Sequence, residues 1–379
     1  MATVTNIQDL RAIAERKVPR AIFHYADRGS YDETTIKANR TDLAAIPLRQ
    51  RVMIDVSERT TATTMIGEKV SLPLAIAPTG LTGLFHGDGE ILGCKAAHAA
   101  GIPFTLSTMS ICSIEDVAGA VDKPFWFQLY VMRDRAFSAS LIERAKAAKC
   151  SALVLTLDLQ IQGQRHMDIK NGLAVPPKLT LANAIDVATK PSWAWKVLMG
   201  KRHSFGNLQD RVPGADSLTT LSHWIAGQFD PSLSWKDVEW VRSLWPGKLI
   251  LKGILDVEDA RIAAETGADA IVVSNHGGRQ LDGARSSISA LPKIVDAIGG
   301  GKSEIWFDGG VQSGQDILKA VALGAKGCMM GKAFLYALAA GGQAGVAQAI
   351  EIMRKELDVS MALTGTKDIN KVDKSVLGF

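Results

Sequence analysis

The sequence predicts an α/β fold in which eight parallel strands close into a (β/α)8 barrel, preceded by helices and interrupted by one long insertion after the fourth strand. Three observations carry this. From about residue 74 to 331, short apolar runs without polar alternation take turns with helical stretches, as strands do when they are covered on both faces and joined by right-handed crossovers. Eight such runs occur, and no GxGxxG follows the first, which favours a closed barrel over an open doubly wound sheet. Almost every run ends in polar residues, and barrels build their sites at the C-terminal ends of their strands.

Taken in order, Ile7, Leu10 and Ile13 share one helical face and Pro19 restarts the chain as a first-turn residue, so residues 6–28 read as two short helices. Residues 48–72 read as irregular chain with a small hairpin. The first four barrel strands are Leu74 to Ala77 before Pro78-Thr79-Gly80, Phe104 to Leu106 before Ser107-Thr108, Phe125 to Phe127 before Gln128-Leu129-Tyr130, and Ala152 to Leu155 before Thr156-Leu157-Asp158. After an insertion at 159–232 they resume with Leu249 to Leu251 ending at Lys252 and Ala270 to Val273 ending at Ser274-Asn275-His276. Glu304 to Phe307, ending at Asp308-Gly309-Gly310, and Gly327 to Met330, ending at Gly331, complete the set. Helices are expected at Gly89 to Ala100, closed by Gly101, at Ile114 to Ala120, Ala136 to Ala148 and Val257 to Thr266. Residues 1–379 are expected to form a single domain.

With 47% hydrophobic and 22% charged residues in 379, the chain can bury a large core. A net charge of +4 is too mild to argue for nucleic acid. Cys94, Cys112, Cys150 and Cys328 form no CxxC pair and suit small core residues in a reducing compartment, with no metal site. The polar N-terminus has no signal-type apolar stretch and no run of eighteen apolar residues occurs, so a cytoplasmic protein without a spanning helix is expected. Within the insertion, residues 190–203 hold Trp193, Trp195, Val197, Leu198 and Met199 hemmed by lysines and arginine. That pattern suits a segment lying peripherally on the inner face of the cell membrane; its alternative is a lid or oligomer contact.

The strand ends supply hydroxyl, amide and backbone groups (Thr79, Gly80, Ser107, Gln128, Thr156), a cation at Lys252, and His276 with Arg279 on a glycine-loosened turn. No GxSxG elbow or metal triad is present, so hydrolysis fits poorly. A bound organic redox cofactor fits better: the protein then holds a ring by hydrogen bonds and places one base and one anion clamp over it.

Through Ser274-Asn275-His276-Gly277-Gly278-Arg279-Gln280-Leu281-Asp282, with Pro78-Thr79-Gly80, Trp126 to Tyr130, Leu251-Lys252-Gly253, Asp308-Gly309-Gly310-Val311 and Thr364-Gly365, the chain resembles, end to end, the FMN-dependent L-2-hydroxy acid dehydrogenase and oxidase family. Phe334 to Leu338 and Gly342 to Val346 are most similar to its bacterial quinone-linked L-lactate dehydrogenases. The resemblance implies His276 as the base, with Asp158 holding its imidazole and stabilising the cation formed. It implies Arg279 on the substrate carboxylate, helped by Tyr25 and Arg165, and Tyr130 on the substrate oxygen. Lys252 would sit at the flavin pyrimidine, and Thr79, Gly80, Ser107, Gln128 and Thr156 would line the isoalloxazine, with Pro78, Ser274 and Asp308 completing the cofactor set. A homotetramer is implied as well. Hydride and carbanion routes both need His276.

Two departures touch the FMN phosphate, where the family usually has arginine: this chain has Gln312 and Lys332. The phosphate would then rest on the backbone of Gly310 and Gly331 and on the following helix N-terminus, and weaker FMN retention is expected. Gln160 replaces a common proline. The leading expectation is FMN-dependent oxidation of an L-2-hydroxy acid, L-lactate to pyruvate foremost, with electrons passed to a quinone; Gly80 and the Trp-rich insertion favour an acceptor other than oxygen. The alternatives are a soluble oxidase that makes H2O2 from O2 and, more remotely, a non-catalytic barrel that binds a flavin or carboxylate. A phosphate-binding lyase or isomerase barrel lacks a suitable lysine or carboxylate pair, apart from Lys252.

Overall fold

The computed structural model of the chain describes residues 3–172, 180–208, 224 and 227–379. Three helices precede the barrel: α1 (Ile7–Lys17), α2 (Arg20–Asp27) and α3 (Thr34–Ala45). Asn6 caps α1 by accepting from the Asp9 amide, and Pro19 occupies the N-cap position of α2, one place ahead of the expected first turn. Helix α3 has no counterpart among the elements expected from the sequence. Its buried face is Thr35, Asn39 and Leu43, spaced as a helix requires but too polar to read as a core stripe.

The expected hairpin is β1 (Thr63–Met65) paired antiparallel with β2 (Glu68–Val70). The barrel strands are β3 (Leu74–Ile76), β4 (Thr105–Ser107), β5 (Trp126–Leu129), β6 (Ala152–Thr156), β7 (Lys248–Ile254), β8 (Ala270–Val273), β9 (Glu304–Asp308) and β10 (Gly327–Met330). All neighbouring pairs are parallel, in the order β3-β10-β9-β8-β7-β6-β5-β4. A parallel bridge between Ile76 and Phe104 closes the circle. Strands β4 and β5 begin one residue later than the apolar runs suggested, which places Ser107 and Gln128 inside strands instead of after them.

Along each strand alternate side chains turn inward. Ala75, Trp126, Val154, Ile250, Val272, Trp306 and Met329 therefore meet in one buried cluster inside the barrel, with Met65, Ile66 and Val70 of the hairpin. The Trp126 and Trp306 rings stack at 5.3 Å and form its centre, a contact worth about 0.5–1.5 kcal/mol beyond the area it buries. A Cβ on Gly327 would stand 2.5 Å from Met65 Cε, so the hairpin seals the N-terminal end and leaves the C-terminal mouth as the open one.

The insertion contains short helices His166–Lys170, Leu181–Ala188 and Pro191–Leu198, and parts of it lie outside the described residues. Gln160 donates 2.6 Å to the Leu233 carbonyl and so ties its two ends together. The C-terminal helix Lys332–Leu363 breaks at Gly342 (φ 60°). By length and composition it could cross a bilayer, yet it is mostly buried, as a core helix is. All four cysteines are free and buried.

Candidate active site

The alternation that fills the barrel also builds the site. One inward position beyond Trp126, Val154, Ile250, Val272 and Trp306 come Gln128, Thr156, Lys252, Ser274 and Asp308, so an apolar floor is topped by a polar layer at the C-terminal mouth. Above it lies a cavity of about 510 Å³ whose walls include Pro78, Thr79, Gly80, Ser107, Thr156, Lys252, Asp308, Gly310 and Gly331. Tyr25, Tyr130, Arg165, His276, Arg279, Gln312 and Lys332 line it too. Gln128, Ser274 and Asp158 are not part of its walls but bond to residues that are, Ser107, Lys252 and His276.

Lys252 is 4% exposed, and its ammonium donates 2.7 Å to Asp308 Oδ2 and 3.1 Å to Ser274 Oγ, while Ser274 Oγ donates 2.7 Å to the same carboxylate oxygen. A solvated strand-end lysine is thereby excluded. Removing one partner of such a buried pair typically costs about 3–5 kcal/mol, so this cluster holds the mouth together as well as furnishing a cation.

His276 sits at φ 58°, in the left-handed region, just past the end of β8. Its backbone amide donates 3.1 Å to Ser274 Oγ, and Nδ1 lies 2.8 Å from Asp158 Oδ1 at the end of β6. Asp158 needs room that a side chain at 253 would take: Gly253 lies at φ 106°, where the β7–β8 register shifts, and a Cβ there would be 2.6 Å from Asp158 Cγ. Burial pushes the Asp158 carboxyl up, but His276 and then Lys252 outweigh it and hold the group below its ordinary value. With Nδ1 engaged, Nε2 is the nitrogen left for proton transfer.

Arg279 is fixed by carbonyls at the C-terminal end of α2: Nη1 donates to Tyr25 O and, at 3.1 Å, to Arg28 O, and the guanidinium lies 4.7 Å over the Tyr25 ring. Arg165 Nε donates 3.2 Å to the Arg279 carbonyl. Burial, reinforced by Arg279, pushes Arg165 down to about 10. Two neighbouring arginines lining one cavity wait for an anion, and a carboxylate matches their fork. Burial, and then Asp158 and Tyr25, push the Tyr130 hydroxyl up, so it stays a hydrogen-bond donor.

Several contributors escaped the sequence reading. Gln280 donates 2.7 Å to Asp158 O and 2.9 Å to Ile161 O, latching the loop after β6 onto the His276 turn. Asn275 and Asn39 exchange side-chain hydrogen bonds of 2.8 and 2.9 Å, and Asp282 accepts from Thr34 Oγ1 and the Thr35 amide. The motif thus splits: His276 and Arg279 face the cavity, while Asn275, Gln280 and Asp282 clamp α3 and the β6 loop. Partners so distant in sequence leave no local signal. Asp168, whose carboxyl burial pushes up, also lines the cavity.

At the other end of the cavity Lys332 Nζ is spent on the last carbonyls of α2, at 2.6 Å from Ala26 O, 3.1 Å from Asp27 O and 3.3 Å from Arg28 O. Burial, with Arg279 adding to it, lowers this ammonium well below its usual value. Gln312 accepts 2.7 Å from Gln8 Nε2, and its amide donates 2.9 Å to Asp316 Oδ2.

The donor set suits a flavin. Gln128 Nε2 and Thr156 Oγ1 are buried without a partner among the described residues, beside the Lys252 cation, as groups are that await the polar edge of a ring. The chain matches the family model for FMN-dependent dehydrogenase over residues 14–378. It is 49% identical over 370 residues to an L-lactate dehydrogenase of Ectopseudomonas mendocina (strain ymp), covering 97% of both chains. It is 48% identical over 375 residues to one of Xanthomonas campestris pv. campestris (strain B100), covering 99% of this chain and 97% of that one. Among solved structures it is similar to the monotopic membrane protein (S)-mandelate dehydrogenase, at 34% identity, TM-score 0.94 and full coverage of both chains. It is also similar to mandelate oxidase, at 37% identity and TM-score 0.83, covering 99% of this chain and 98% of that one.

Proposed function

From its membership of the FMN-dependent dehydrogenase family, we propose that this chain oxidises L-lactate to pyruvate and passes the electrons to a membrane quinone. That it is an FMN-dependent enzyme of 2-hydroxy acid oxidation follows from the family and from relatives that match it over nearly its whole length. The observation that carries the chemistry is the His276–Asp158 pair, with Nδ1 and Oδ1 2.8 Å apart, on the same cavity as Arg165 and Arg279.

FMN, when bound, supplies the two-electron acceptor. The chain's own residues do the rest. Arg279 and Arg165, with Tyr25, take the substrate carboxylate, and Tyr130 donates to the substrate oxygen. His276 Nε2 receives the proton that the substrate gives up, and Asp158 stabilises the imidazolium. Gln128, Thr156, Thr79 and Ser107 would hold the flavin ring, with Lys252 at its pyrimidine edge. Identities of 48–49% to enzymes named for L-lactate, against 34–37% to those named for mandelate, support the smaller acid.

The insertion supports a peripheral membrane position. Trp193 and Val197 are buried, and Trp193 Nε1 donates 2.7 Å to Leu84 O. Trp195, Leu198 and Met199 stay exposed on the other side, as do Leu181 and Ile185 of the preceding helix, with Lys190, Lys196 and Lys201 around them. The expected segment is thus half core and half free surface, and a homotetramer with this face outward at the inner leaflet completes the proposal.

Anaerobic titration of the FMN-loaded protein with L-lactate, glycolate and L-mandelate, followed by oxygen or a quinone analogue, tests the reading. Bleaching by L-lactate first and rapid recolouring by the quinone analogue are expected. Oxygen consumption as fast as dye reduction would favour the oxidase alternative.

A further inference from the structure

We propose that Arg40, carried by α3 outside the barrel, is the residue that grips the FMN phosphate in this chain, replacing the turn arginine that position 312 lacks. The inference rests on the flavin assignment of the cavity and concerns its phosphate end.

Three cations line that end, Arg11, Arg40 and Lys332. Arg11 is committed: Nε and Nη2 each donate 2.7 Å to the Asp27 carboxylate, Nη1 lies 3.8 Å from Glu15, and the guanidinium lies 5.1 Å over Phe23. Lys332 has three N–H donors and three carbonyls that take them. Arg40 differs. Both of its hydrogen bonds, to the Gly310 carbonyl and, at 2.8 Å, to Asp316 Oδ2, go through Nη1. Among the described residues its Nε–Nη2 edge has no acceptor, and the side chain is 39% exposed. That edge takes an oxyanion bidentately, which a lysine point charge cannot do.

Position and rigidity agree. Arg40 reaches the β9 turn itself, where Gly309 and Gly310 adopt φ 121° and 100° and where a Cβ on Gly310 would stand 2.9 Å from Asn39 O. The backbone of α3 is therefore pressed against the turn, and the Asn39–Asn275 pair one residue away locks it there. Asp316 both accepts from the Gln312 amide and orients Arg40. A guanidinium held this way binds with little entropy left to lose. Gln312 itself is bonded to Gln8 on α1 and brings no charge to the turn.

Titrating the apoprotein of wild type, Arg40→Gln and Arg40→Lys with FMN and with riboflavin, and following flavin fluorescence, separates phosphate recognition from general packing. Arg40→Gln should weaken FMN about 10–100-fold, the range of a charge-assisted contact, and leave riboflavin unchanged. Arg40→Lys, which keeps the charge next to Asp316 and loses the fork, should fall between and covers the case of a poorly folded glutamine variant. Gln312→Arg added to Arg40→Gln should restore FMN affinity. Unchanged FMN affinity, or equal weakening of FMN and riboflavin, would overturn the proposal. These readings use no hydroxy acid, so a protein that grips FMN through Arg40 but is bleached by none would contradict the catalytic reading alone.

Discussion

Asp158 Oδ1 lies 2.8 Å from His276 Nδ1, across a space that only a glycine at position 253 leaves open. The proposed base is oriented by a carboxylate two strands away along the sheet, and the β7 bulge between them makes the approach possible.

Gly253→Ala should therefore impair chemistry without displacing cofactor. A Cβ at 2.6 Å from Asp158 Cγ must push the carboxylate off His276, and a displacement of this kind costs about 100-fold in rate. Stopped-flow reduction by L-lactate should slow by that order while FMN content stays at the wild-type level; loss of both together would point to general misfolding.

Asp158→Asn keeps the shape and removes the charge. Turnover should fall about 100- to 10,000-fold, the usual contribution of a positioned acid–base group. Stability carries a pH signature with a definite sign. The folded Asp158 carboxyl is held below its unfolded value, so its contribution is complete above about pH 4 and is lost as pH falls through the folded value. The difference in melting temperature between wild type and Asp158→Asn should hold from pH 7 down to about pH 4 and shrink only below it.

Arg165→Met should trade affinity for stability. An arginine pushed down to about 10 by burial and by Arg279 is a buried cation short of counter-charge, which the proposed substrate carboxylate would supply. The variant should raise KM for L-lactate about 10–100-fold, yet melt no lower than wild type without ligand. A clearly lower melting temperature at unchanged KM would contradict the anion-site reading.

Replacing Trp195, Leu198 and Met199 together by glutamate should release the protein from anionic vesicles in a sedimentation assay while dye-linked turnover stays within about two-fold, since surface changes away from packing are nearly neutral. Trp193→Glu, by contrast, should destabilise, because Trp193 is buried and bonded to Leu84 O.

The barrel was legible because its strands are covered on both faces: Ala270–Val273 and Gly327–Met330 stand where their apolar runs do. The polar layer was legible for the same reason, since residues two places beyond an inward apolar side chain also turn inward. Helix α3 was not, because Thr35 and Asn39 are buried by hydrogen bonds to the His276 turn and not by hydrophobicity. Arg40 was hidden with it. The Gln280 latch and the spending of Lys332 on α2 carbonyls depend on contacts across 119 to 306 positions of sequence, which no local pattern encodes.

The central claim, that His276 takes the substrate proton over a bound flavin, is tested most directly by anaerobic mixing of FMN-loaded wild type and His276→Asn with L-lactate while the flavin colour is followed. Wild type should bleach rapidly, and the variant, with equal FMN content, should keep its colour at least about 100-fold longer. Bleaching of the variant at the wild-type rate would contradict the account.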